Sequence, residues 1–106
     1  MKEILLKHLD NDWWEVAEEY HYGDIIIPKG FKTDLASIPR ILWNICPPFG
    51  NYTTPAVIHD HAYTIKYNTK KEADKEFREN CKANGVPKWK ANTFYYAVRL
   101  FGGSHY

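Results

Sequence analysis

The 106-residue chain is poor in the residues that stabilise small secreted domains. It has only two cysteines, Cys46 and Cys81, and no CxxC pair. This excludes a multi-disulfide framework and a four-thiolate zinc site. The sequence leaves one disulfide between Cys46 and Cys81 as an alternative. We expect two reduced, buried thiols instead, because Cys81 falls on an apolar helical stripe.

The chain also lacks an excess of either charge and any long apolar run. Its 14 Lys and Arg residues nearly balance 13 Asp and Glu residues, for a net charge of +1. There is therefore no electrostatic reason to expect binding to nucleic acid or to an anionic membrane. No apolar run reaches membrane-spanning length, so no transmembrane segment is predicted, and no signal-peptide h-region follows Met1. We expect a cytoplasmic protein.

Aromatic residues are abundant by contrast, at 16% with four Trp and eight Tyr. The length predicts one domain over residues 1–106, in which so much ring surface indicates either a dense aromatic core or an aromatic binding face. Trp13 and Trp14 must point to opposite faces of a strand, so one of them is expected to be exposed.

Turn signals divide the first third of the chain into short strands. They lie at 10–12, at Gly23-Asp24 and at Pro28-Lys29-Gly30, and the apolar and aromatic runs between them favour β-structure. We predict a small antiparallel β-meander of about three strands within residues 2–30.

Helical signals fill the rest, within about residues 37–102. Ser37 is a plausible N-cap for a short helix carrying Ile41 to Ile45, and Thr54 for a helix running to about Tyr67. Further helices are predicted over residues 70–84, with Gly85 in the stop position, and over about 88–101. In the last helix, one face is formed by Trp89, Thr93, Tyr96, Ala97 and Leu100. Strands followed by three to four helices predict an α+β fold.

The most informative motif is His59-Asp60-His61-Ala62-Tyr63, followed by Asp74. His59 and Tyr63 are four residues apart and share one helical face, from which Asp60 points roughly 100° away. Asp74 lies on the apolar stripe of the next helix and should face inward. A buried carboxylate needs partners, and His59 and Tyr63 are the candidates.

This arrangement permits two interpretations. A neutral histidine can take a proton from water if a carboxylate holds its other ring nitrogen, and the pair His59–Asp74 would meet that need. Alternatively, His59, Tyr63 and Asp74 form a buried polar triad that only cross-links two helices.

Two further carboxylates could hold a hard cation such as calcium, which takes six to eight oxygen ligands. Asp60 is one candidate, although a solvent-facing helix acid is the alternative. Asp34 is the other, although local turn or cap chemistry with Ser37 is the alternative explanation of its place. His59 and His61 cannot share a zinc ion because residues two apart on a helix diverge, and His61 is expected at the surface.

Four segments in order resemble a family called domain of unknown function 1353, common in tailed bacteriophages and prophages. They are Phe31-Lys32-Thr33-Asp34-Leu35-Ala36-Ser37-Ile38-Pro39, Ala56-Val57-Ile58-His59-Asp60, Ala73-Asp74 with Phe77, and Tyr96-Ala97-Val98-Arg99-Leu100-Phe101-Gly102. The resemblance implies a phage or prophage source and brings no settled activity.

Within these segments, the 59–63 motif and Asp74 are similar to the active-site helices of secreted and parvoviral phospholipase A2. That resemblance implies that His59 is the general base, Asp60 the calcium ligand, Asp74 the orienting carboxylate and Tyr63 its support. The chain departs from that family in lacking an upstream Gly-rich calcium loop and the paired cysteines.

The sequence thus leads to two expectations of function. The first is a phage-encoded, phospholipase A2-like, metal-dependent hydrolase of an ester or lipid, with calcium as the expected cation. The alternative is a non-catalytic phage accessory protein, a virion or tail component or a binder of a host-defence factor. Either would reside in the cytoplasm of the bacterial host or in the virion.

Overall fold

Five short strands precede three helices in the computed structural model, which describes residues 1–11, 13–35 and 50–101. The strands are β1 (Leu6–His8), β2 (Trp14–Val16), β3 (Tyr20–Tyr22), β4 (Ile25–Ile27) and β5 (Lys32–Thr33). The helices are α1 (Thr53–Ile65), α2 (Lys70–Ala83) and α3 (Lys88–Phe101). The predicted α+β class is therefore confirmed. The short helix predicted after Ser37, together with Arg40, Trp43 and Cys46, lies outside the described residues.

The strands form two antiparallel sheets instead of one meander. β1, β2 and β5 pair in that order, and β3 pairs with β4 as a hairpin. Its two-residue turn starts at Gly23, whose φ of +57° suits glycine. In the three-stranded sheet Glu15 lies opposite both Lys7 and Lys32, and such cross-strand pairs of opposite charge favour this register.

Helix α1 begins two residues earlier than the sequence predicts. Its N-cap is Tyr52, so Thr54, the predicted cap, lies within the helix and the prediction is wrong. The Thr54 hydroxyl accepts a hydrogen bond from the backbone of Ile4 at 3.1 Å. The Thr54 hydroxyl, which would accept from the helix backbone in a local cap, thus bonds to the N-terminal segment instead.

Helix α2 begins as predicted and ends at Ala83, one residue before the predicted end. The Thr69 hydroxyl accepts from the backbone of Glu72, and the Glu72 carboxylate accepts from the Thr69 backbone in return. This capping box satisfies two N–H groups that a helix start leaves unpaired. Gly85, with φ of +93°, follows the last turn in a conformation that glycine adopts readily.

The core lies where the helices meet the strands. Val16, Ile27, Leu35, Phe77 and Phe94 are among its fully buried side chains. Helix α3 contributes Ala91, Phe94 and Val98 to it. The predicted face of α3 is instead turned outward, because its large side chains Trp89, Tyr96 and Leu100 are 65%, 62% and 75% exposed.

Candidate functional site

A buried carboxylate, Asp74, joins all three helices. It lies in the second turn of α2 and has no exposed surface. Its Oδ1 atom lies 2.6 Å from Nε2 of His59 and also accepts a hydrogen bond from the Tyr63 hydroxyl. Both partners belong to α1, as the four-residue spacing predicts. The structure therefore brings the three predicted residues together.

The second oxygen of Asp74 is occupied by two cations. Lys70 Nζ donates to Oδ2 at 2.8 Å and Arg99 Nη1 donates to it at 3.1 Å. Lys70 also donates to the backbone oxygen of Val98 at 3.1 Å, which ties the start of α2 to the end of α3. Both side chains are partly exposed, at 21% for Lys70 and 34% for Arg99.

The sequence does not predict Lys70 and Arg99 as residues of this site. Lys70 precedes Asp74 by four residues, a spacing that places opposite charges side by side on a helix. The four-residue spacing is therefore a sequence signal from which the contact of Lys70 with Asp74 could be predicted. Arg99 comes from a different helix 25 residues later, and only the packing of α3 against α2 makes it a partner. In the folded chain, Arg99 forms an ion pair with Asp74.

The environment of Asp74 keeps it ionised. Burial alone would raise the pKa of its carboxyl group, but hydrogen bonds from His59, Lys70 and Tyr63 outweigh burial and hold the pKa well below its usual 3.8. An ionised carboxylate accepts hydrogen bonds and has none to donate. Nε2 of His59 must therefore carry the hydrogen in this contact.

That hydrogen bond decides the tautomer of His59. When the ring is neutral, a hydrogen on Nε2 leaves the lone pair on Nδ1. The imidazole is also held sterically, with ring centroids 4.3 Å from Tyr63 and 4.8 Å from Phe77. Its side chain is only 2% exposed. The arrangement can present Nδ1 as a proton acceptor in one defined orientation.

The proposed metal ligands lie in neighbouring elements. Asp60 follows His59 on α1, and Asp34 follows β5, which packs against α1. Both side chains are half-buried. Within residues 1–11, 13–35 and 50–101, no three side chains of the His, Cys, Asp or Glu type form a group that could hold a metal ion. A calcium ion bound by Asp60 and Asp34 would therefore need backbone carbonyls or water for most of its ligands.

His61 is buried, which corrects its expected place at the surface. Its ring packs edge-on against Phe31 at 5.0 Å, and the residue is 5% exposed. Burial lowers the pKa of His61 from the ordinary 6.5 because the charged form loses hydration. The strand segment that leads into β5 covers this side of α1, and no local sequence signal reports such a contact.

Cys81 is a buried free thiol, as expected. Burial raises its pKa to about 12, so it is not a nucleophile at neutral pH. No helix in the described part of the chain is long and apolar enough to cross a membrane.

Comparison with known proteins finds a family that covers most of the chain. Residues 14–98 match the family described as protein of unknown function (DUF1353). The uncharacterized protein y4jT of Sinorhizobium fredii is 41% identical over 78 residues, which are 72% of this chain and 23% of that protein. The uncharacterized protein y4iH of the same organism is 40% identical over 76 residues, 70% of this chain and 32% of that protein. The chain thus spans a third or less of these relatives, and no solved structure matches it significantly.

Proposed function

The chain belongs to the DUF1353 family, and within that family we propose that it is a small ester hydrolase in which His59 activates water. The observation that carries this proposal is the short contact between His59 Nε2 and the buried carboxylate of Asp74. A phospholipase A2-like use of the helix pair and a phage or prophage origin are parts of the same proposal.

In the proposed reaction, His59 first accepts one proton and later returns it. His59 Nδ1 takes a proton from water as the oxygen attacks the ester carbonyl, and Asp74 stabilises the imidazolium that forms. The C–O bond to the leaving group then breaks, and the proton on Nδ1 passes to the departing alkoxide. The products are a carboxylic acid and an alcohol, and Tyr63 serves by holding Asp74 in place.

We further propose calcium as the cofactor, with Asp60 and Asp34 as its carboxylate ligands. Bound calcium would stabilise the negative charge that develops on the carbonyl oxygen. A thermal-shift titration with calcium, magnesium and zinc tests this, with Asp60→Asn and the exposed Glu18→Gln as the variant and its control. A calcium-dependent rise in melting temperature that Asp60→Asn alone abolishes supports the site. No rise in wild type contradicts it.

A second candidate is the non-catalytic accessory protein that binds a phage or host protein. The near-complete burial of the His59 side chain favours it, because a base must be reached by water and substrate. The exposed aromatic and aliphatic side chains on α3 also favour it, since such residues are typical of partner surfaces.

An ester-hydrolysis screen separates these candidates. Wild type, Asp74→Asn and the exposed-histidine control His21→Gln would be assayed on short-chain esters and phosphatidylcholine vesicles, with and without calcium. The hydrolase proposal expects turnover in wild type and His21→Gln and a large loss in folded Asp74→Asn. Absence of turnover on every substrate would favour the accessory role, and equal turnover in all three proteins would contradict a role for Asp74 in hydrolysis.

A further inference from the structure

The two oxygens of Asp74 serve different partners. Oδ1 faces α1, where it accepts from His59 and Tyr63, whereas Oδ2 accepts from Lys70 and Arg99. Donors on both oxygens, from three helices, define the plane of the carboxylate. A turn of that plane that moves Oδ1 away from His59 would also break two ion pairs.

The cations are better placed to orient Asp74 than to bind anything themselves. The ammonium group of Lys70 lies 2.8 Å from Asp74 and 3.1 Å from the Val98 carbonyl, so two of its three hydrogens are engaged. Arg99 reaches the same oxygen from α3. The carboxylate has no exposure to solvent, and water cannot replace these donors without opening the helix packing.

We propose that Lys70 and Arg99 are positioning residues that act through Asp74 to hold His59 with its hydrogen on Nε2. The inference rests on the proposed function, because the Nε2–H tautomer matters for catalysis only if His59 is the base. The tautomer itself can be measured without any substrate. Neither residue would contact the reacting atoms.

The consequence of losing them follows from the geometry. Without the two cations, the carboxylate plane is no longer fixed at Oδ2 and is free to turn. A rotated Asp74 no longer requires a hydrogen on Nε2. His59 would then populate the Nδ1–H tautomer, in which Nδ1 cannot accept a proton from water.

The experiment is ¹⁵N NMR of the histidine ring nitrogens at mildly alkaline pH, where the two tautomers give distinct shifts. The proteins are wild type, Lys70→Gln, Arg99→Gln, the double variant, and the control Lys71→Gln at an exposed neighbouring site. We expect His59 to be almost wholly Nε2–H in wild type and in the control, and to gain a clear Nδ1–H population in the variants. Lys70→Arg and Arg99→Lys should restore the wild-type signal in part.

Kinetics provides the second readout. With any ester that wild type hydrolyses, the folded variants should lose about tenfold to a hundredfold in kcat with little change in KM, as for other residues that orient a functional group.

Folded single variants with an unchanged His59 tautomer would overturn the positioning role, even if hydrolysis in wild type depends on His59. A shifted tautomer together with no hydrolysis in wild type would instead sustain the positioning role and reject the hydrolase. If the double variant does not fold, the single variants decide.

Discussion

His59 Nε2 and Asp74 Oδ1 lie 2.6 Å apart, and the two side chains are 2% and 0% exposed. A histidine and an ionised carboxylate at this distance, shielded from water, form a much stronger contact than a surface ion pair. The contact also joins α1 to α2, so it bears on stability as well as on chemistry.

Removing the carboxylate should be costly. Asp74→Ala leaves His59, Tyr63, Lys70 and Arg99 without their shared acceptor, and we expect a loss of about 3–5 kcal/mol in the free energy of unfolding, typical of breaking a buried charged network. Urea denaturation measures it. The exposed Glu18→Ala should change stability by about 0.5 kcal/mol or less, and a similarly small loss for Asp74→Ala would contradict the network.

The same carboxylate should make stability depend on acid pH. Its pKa in the folded protein is below the 3.8 of the unfolded chain, so the unfolded state binds the proton first as pH falls. Its stabilisation is therefore complete above about pH 3.8 and is lost progressively below that value. The difference in unfolding free energy between wild type and Asp74→Asn should shrink as pH falls through this range. A difference that stays constant would show that the carboxylate is not ionised in the fold.

His61 should act on stability at a higher pH. Its folded pKa is lowered from 6.5 by burial, so the unfolded chain binds its proton first and stability falls as pH drops below about 6.5. His61→Phe, which keeps an aromatic ring against Phe31, should flatten this part of the curve. Unfolding free energies of the two proteins between about pH 7 and pH 5 test it, and equal slopes would contradict the buried, neutral state.

Cys81 should resist thiol reagents until the protein unfolds. Its pKa is raised to about 12 and it is wholly buried, so thiolate and access are both lacking. On a Cys46→Ser background, the reaction with a disulfide reagent should be slow in buffer and fast in denaturant. Fast labelling in buffer would mean that α2 opens readily at this position.

Local sequence patterns predict the structure correctly where residues close together in the chain determine it. Spacing on two helices predicted that Asp74 faces inward toward His59 and Tyr63, and the Thr69 start of α2 and the Gly85 stop are local signals of the same kind. These features depend on a few consecutive residues and on helical geometry.

The errors arise where distant segments meet. Thr54 is not a cap because its hydroxyl bonds Ile4, 50 residues away, and His61 is buried because Phe31 packs on it. Arg99 joins the site only through packing of α3 against α2. Each depends on tertiary contacts that periodicity and propensity do not encode.

The paired effect of His59→Gln on ester hydrolysis and on the free energy of unfolding separates a catalytic His59 from a structural one. The hydrolase account predicts that kcat/KM falls by about a hundredfold or more, while the protein stays folded because glutamine can still donate to Asp74. Full hydrolysis in folded His59→Gln, or a loss of several kcal/mol in stability with no hydrolysis in wild type, would contradict it and leave His59, Tyr63 and Asp74 as a structural triad.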